Sequence, residues 1–154
     1  MSKIMIGSLS DLKEIGNSPA YPLDAEYELT QDIDASDTMN WNGGAGFAPI
    51  GTASNPFTGK FDGKGHKITG LYINRPNEDN VGLFGVLFGE VRDLEIENGT
   101  IISLYTVGIL TGTAYRACIA YVTCNACSIS GLSENIIAGK LLYSSLYNSV
   151  LIPC

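Results

Sequence analysis

The chain has 154 residues, of which 45% are hydrophobic and 16% charged, with 18 glycines. That length and composition suit one ordered, turn-rich, β-dominated domain and exclude a disordered chain. A formal net charge of −7 argues against a nucleic-acid partner, because phosphate binding needs a basic patch, and Lys60, Lys64 and Lys67 read as a solvated turn.

From the N-terminus, residues 1–16 carry Lys3, Asp11, Lys13 and Glu14 and offer no apolar stretch long enough for a signal peptide. No run approaches the roughly 20 apolar residues of a membrane span. The expectation is a soluble chain made without a leader and without membrane insertion. Ser8 to Ile15 predicts a short helix, with Ser8 as N-cap, Gly16-Asn17 as the stop, and Leu12 and Ile15 facing inward. Such a helix suits the lid of an open sheet end.

Tyr27 to Asp34 alternates with period two, putting Tyr27, Leu29 and Ile33 on one face and Glu28, Asp32 and Asp34 on the other. Asn40 to Gly46 is a glycine-marked loop. Phe57 to Ile73 gives short strands broken by a turn at Asp62-Gly63-Lys64-Gly65. Then an internal repeat begins. Val81-Gly82-Leu83-Phe84-Gly85 returns as Val107-Gly108-Ile109-Leu110-Thr111-Gly112 and, degraded, as Asn135-Ile136-Ile137-Ala138-Gly139. Gly85, Gly112 and Gly139 are spaced by 27 residues, which lines up Leu83 with Leu110 and Ile137, and Phe88 with Tyr115 and Leu142. One coil cannot bury its own apolar face, but a stack of coils can, with glycines expected at the corners.

The fold expected is therefore all-β: a right-handed parallel β-helix, or solenoid, with a short N-terminal helical cap. Residues 1–154 form a single domain, divided into a cap at 1–20, leader coils at 21–80 and about three 27-residue coils at 81–154.

Three stretches resemble the leader region of GLUG-motif proteins. They are Tyr27-x-Leu29-Thr30-x-Asp32-Ile33-Asp34, Phe47-Ala48-Pro49-Ile50-Gly51, and Phe57-x-Gly59-x-Phe61-Asp62-Gly63-x-Gly65-His66-x-Ile68. Val81 to Gly85 looks like the start of the GLUG repeat itself, and the resemblance covers roughly residues 8–130. It implies a parallel β-helix and a role on a microbial or phage surface. The chain departs from that family in having about three degraded units, the last of which, Ser133 to Cys154, lacks the motif's first glycine.

Candidate chemistry is sparse. Asp32, Asp34 and Asp37 have the oxygen character of a Ca²⁺ site without its spacing, and read as a solvated acidic edge. Glu95 and Glu97 share a strand face, where two carboxylates meet water more often than a glycosidic bond. His66 reads as a framework hydrogen-bonding residue. Cys124-x-x-Cys127 has no second CxxC and no nearby histidine, so a zinc site is not expected. No catalytic residue, metal or cofactor is expected. Cys127 and Cys154 are 27 residues apart, so the same stacking arithmetic predicts a disulfide between them in an oxidising compartment.

From Asn98 to Cys154 only Arg116, Glu134 and Lys140 are charged, while Tyr105, Tyr115, Tyr121, Tyr143 and Tyr147 gather there as interface candidates. The function expected is a non-enzymatic structural or adhesive module of a surface assembly. A virion component, such as a capsid decoration or tail-fibre protein, leads, and a surface filament subunit follows. Its expected partners are copies of itself or a protein shell, and a surface glycan is a further candidate. The alternative is a carbohydrate-binding or polysaccharide-degrading β-helix domain.

Overall fold

The computed structural model describes residues 2–132, 137–142, 146–147 and 150–151. It shows a predominantly β, mostly parallel-sheet fold, with one short α-helix among the described residues. Strand β1 (Ile4–Ile6) leads into α1 (Leu9–Glu14). Ser8 caps the helix as expected: its hydroxyl accepts the Asp11 N–H at 3.1 Å, and the Asp11 carboxylate accepts the Gly7 N–H at 3.0 Å. Leu12 and Ile15 are buried, and Gly16, at φ +80°, ends the turn.

The expected strand at Tyr27 to Asp34 is two strands, β2 (Glu26–Leu29) and β3 (Ile33–Asp34). Its inward residues are as expected, with Tyr27, Leu29 and Ile33 buried. After the loop at 40–46 come β4 (Lys60–Asp62), β5 (Lys67–Thr69), β6 (Tyr72–Asn74) and β7 (Phe84–Leu87). Then follow β8 (Glu90–Glu97), β9 (Thr100–Thr106), β10 (Thr111–Tyr115), β11 (Cys118–Asn125), β12 (Ser128–Leu132) and β13 (Ala138–Leu142). A short antiparallel pair, β14 (Leu146–Tyr147) and β15 (Val150–Leu151), forms a sheet of its own, with β15 against β11.

Every strand pairing in the three larger sheets is parallel. The long strand β8 organises one sheet. Its first half pairs with β4, its second half with β5, and its whole length with β11. In-register residues make continuous interior rows: Tyr27–Phe61–Val91–Ile119, Ile33–Ile68–Ile96–Cys124 and Ile73–Ile101–Ile129. All of these except Cys124 and Ile129 are buried, and each large apolar side chain so buried contributes about 1.5–3 kcal/mol.

The 27-residue spacing holds in one sheet only. Phe84, Thr111 and Ala138 pair in that register, and Leu83, Leu110 and Ile137 just before them are buried. In the other two sheets the spacing is 28, as in Glu90 with Cys118 and in Tyr72 with Thr100 and Ser128. Towards the N-terminus it widens, with Lys60 opposite Glu90 and Glu26 opposite Lys60. The one-residue difference arises at a corner. Two residues lie between Leu87 and Glu90, and three between Ala114 and Cys118; the additional residue is Arg116, in the left-handed region at φ 50°.

The corners are not built as the sequence suggests. Gly85 and Gly112 lie inside strands, where a Cβ would overlap the Gly51 carbonyl oxygen or the Asn80 backbone. The left-handed corner positions are filled mostly by other residues. Asp93 (φ 51°) stacks under Tyr121 (φ 55°), and Gly70 lies under Asn98 (φ 53°) and Ala126 (φ 52°), each one 28-residue step apart.

Candidate functional site

The outer face of β2, β4 and β8 carries the densest arrangement of functional groups. Glu26, Lys60 and Glu90 follow one another across the strands, and beside them run Glu28, Asp62 and Arg92. Lys60 Nζ lies 3.7 Å from Glu26, and Lys3 is ion-paired with Glu28. Arg92 donates two bonds to one oxygen of Asp62, from Nε at 3.2 Å and Nη2 at 2.9 Å. The other Asp62 oxygen accepts the Lys64 N–H at 2.8 Å. On the neighbouring stretch, Lys67 meets Glu97 at 2.8 Å. Hydrogen bonds to these carboxylates hold the Lys3, Lys67 and Arg92 side chains above their ordinary pKa values.

Exposed ion pairs add little stability, but opposite charges in adjacent strands favour one register and penalise slips. The rows stop at β11, where Cys118, Ala120, Thr123 and Asn125 occupy the equivalent places. The sequence gives no sign of the Asp62–Arg92 pair, because its partners are 30 residues apart and only the register brings them together.

The acidic candidates do not converge. Asp32 accepts the Lys67 N–H at 3.1 Å and faces His66 Nδ1 at 3.2 Å; Lys67's backbone is the main cause that lowers its pKa. Asp34 accepts the Ser36 N–H, and bonding to Ser36 lowers its pKa. Asp37 is tied to the Asn40 amide and the Trp41 indole N–H, which likewise lower its pKa. Among the described residues, no group of three or more His, Cys, Asp and Glu side chains is placed to hold a metal ion. His66 thus sits in a framework hydrogen bond. Glu97 is paired with Lys67, and its neighbour Glu95 lies on the same face two residues away.

The cysteines pair differently from the expectation. Cys127 is disulfide-bonded to Cys124, with their Cα atoms 6.1 Å apart, and Cys154 lies outside the described residues. The Cys124–Cys127 bond spans the turn between β11 and β12, where a separation of three residues places the two within reach. Cys124 ends the Ile33–Ile68–Ile96 row, partly buried against the core.

Of the tyrosines, Tyr105 and Tyr121 are well exposed, and Tyr115 is half-buried against Phe88. Tyr143 and the side chain of Tyr147 lie outside the described residues. Leu104, which no sequence signal singled out, is also exposed beside Tyr105. No helix among the described residues is long and apolar enough to cross a membrane.

No family model matches the chain, and no solved structure matches it. Two proteins are similar to it. Halomucin of Haloquadratum walsbyi is 39% identical over 153 residues, which is 95% of this chain and 2% of that protein. A putative Gly-rich membrane protein of Evansella cellulosilytica is 41% identical over 95 residues, 58% of this chain and 11% of that protein. The chain thus spans only a small part of either relative's length, and it is similar to a segment within each.

Proposed function

We propose that this chain is a right-handed parallel β-solenoid, of the kind its GLUG-like residues imply, that serves as a non-enzymatic structural or adhesive module of a surface assembly. The observation that carries this reading is the arrangement of side chains in rows. Apolar rows lie inside, and outside them the charged rows are neutralised strand by strand rather than aimed into a cleft. A surface built this way is stiff and self-satisfied, which suits a spacer or scaffold. The similarity to short segments of much longer proteins supports a modular role. Their names denote a mucin and a membrane protein, so between a virion and a cell-surface setting they favour the cell surface.

The test is immunogold labelling of intact producing cells with antibody raised against the chain. Label on the outer face is expected, and label confined to the cytoplasm overturns the surface role. Release of reducing ends from polysaccharides by the purified chain overturns the non-enzymatic part.

A further inference from the structure

On the outer face of β7 and β10, Thr113 stands beside Val86, and the Phe88 and Tyr115 rings lie together with centroids 5.0 Å apart. These rings form one end of a groove of about 330 Å³. Its opposite wall is polar: Asp79, Asn80, Thr106 and Thr113. We propose that this groove binds a neutral glycan, with Phe88 and Tyr115 as the stacking platform and the Asn80 amide as a hydrogen-bond donor. The proposal rests on the adhesive reading above and names the ligand class that such adhesion would use.

A sugar ring has an apolar C–H face and a rim of hydroxyls. It is matched by an aromatic surface beside a few fixed polar groups. The open part of the aromatic surface is Phe88, which is 42% exposed, while Arg116 lies over the Tyr115 ring, 5.6 Å from its centroid. The polar wall is fixed before any ligand arrives. Asp79 Oδ1 accepts the N–H groups of Asn80 and Thr106, both at 2.9 Å. Asn80 sits in the left-handed region at φ 58°, and its Oδ1 accepts the Thr113 hydroxyl at 2.6 Å. With Oδ1 facing the Thr113 hydroxyl, Nδ2 is the end left to donate, and it has no hydrogen-bond partner among the described residues. Groups already held in place lose little freedom on binding. The choice of a neutral sugar follows from charge. Among the described residues lining the groove Asp79 alone is charged, and the chain carries a net charge of −7, so an acidic polymer is disfavoured.

The other clefts serve less well. At Trp41, in a cavity of about 420 Å³, the indole already has Lys13 Nζ 5.7 Å from its centroid and Phe47 stacked at 6.3 Å. The cleft between β2, β4 and β8 is filled by its own ion pairs.

The experiment is calorimetric titration of the intact chain with soluble hexasaccharides of glucose, mannose and N-acetylglucosamine. Binding of at least one, at roughly millimolar or tighter, is expected. Phe88→Ala and Asn80→Asp should each weaken it about tenfold or more, while Trp41→Phe leaves it unchanged. Asn80→Asp keeps the acceptor for Thr113 and a residue that tolerates left-handed backbone; it removes the donor and adds a negative charge beside Asp79. If Phe88→Ala unfolds, magnetisation transfer from aromatic protons of the unsubstituted chain to the sugar gives the same answer. The proposal is overturned if none of the three sugars binds, or if binding survives both substitutions. It is also overturned if the substitutions disperse a self-associated form without touching sugar binding, which assigns the groove to a second copy. Absent sugar binding with intact surface labelling removes the glycan and leaves the structural role. Sugar binding with label confined to the cytoplasm removes the surface role and leaves the site.

Discussion

Ala126 is exposed and holds a left-handed backbone that an L-residue adopts only at a cost of about 1–2 kcal/mol. Its methyl group packs into no core row, so glycine removes the strain and loses no burial. Part of the gain is offset by the freer unfolded chain. Ala126→Gly should therefore stabilise by about 0.5–1 kcal/mol, read as a rise of about 1–4 °C in Tm; an unchanged or lower Tm contradicts the conformation assigned to the corner. At this scale the sequence is partly legible. Asp93 and Asn98 are residue types that tolerate the left-handed region, and their corners are readable in principle. Tyr121 and Ala126 give no such sign, nor does Arg116, the additional residue that separates a 27-residue step from a 28-residue one. The recurrent glycines misled because a close-approach glycine and a corner glycine look identical in sequence.

Strands were legible where the information is local and hidden where it is not. The inward faces of Tyr27, Leu29 and Ile33 follow from alternation, and the Ser8 cap from residue type. The ion-pair rows need the register first. Asp62 is 7% exposed and satisfies both Arg92 and the Lys64 N–H, so Asp62→Ala removes one partner from each. A loss of about 1–2 kcal/mol in urea unfolding is expected, discounted because Arg92 remains half-exposed; no loss shows the row to be ornamental. The acidic edge makes a pH prediction. Asp32, Asp34 and Asp37 have pKa values lowered in the folded chain, so as pH falls the unfolded chain takes up protons first. Their stabilisation is complete above about pH 4–5 and is lost as pH drops further. Tm should be flat near neutrality and fall below about pH 4, with a shallower fall in Asp37→Asn. A Tm that rises on acidification reverses the sign and refutes the assignment.

For the molecule as a whole, the charge-bearing rows end at β8, while Leu104, Tyr105 and Tyr121 stand exposed beyond them. Aromatic groups concentrated where charge is depleted mark surfaces that associate. Concentration-dependent light scattering should show self-association that weakens in Tyr105→Ser with Tyr121→Ser; a monodisperse monomer at high concentration counts against such a surface. Parallel, mostly β architecture was legible because Gly85 and Gly112 share a spacing that the structure keeps in its β7–β10 register. The groove was only half legible. The 27-residue period already aligned Phe88 with Tyr115, but Asn80 comes from a separate turn, and nothing in its neighbours announces it.

The corner at Arg116 has a bearing on which changes of length such a chain accepts. One residue more than the step below is absorbed there, and β10 and β11 on either side both keep their pairing. Such a turn should accept an inserted residue that a strand would not, because within a strand one residue turns every following side chain to the opposite face. A glycine inserted after Arg116 should fold with nearly unchanged circular dichroism, whereas one inserted after Ile101, inside β9, should not; equal damage from both would show that corners are as length-restricted as strands.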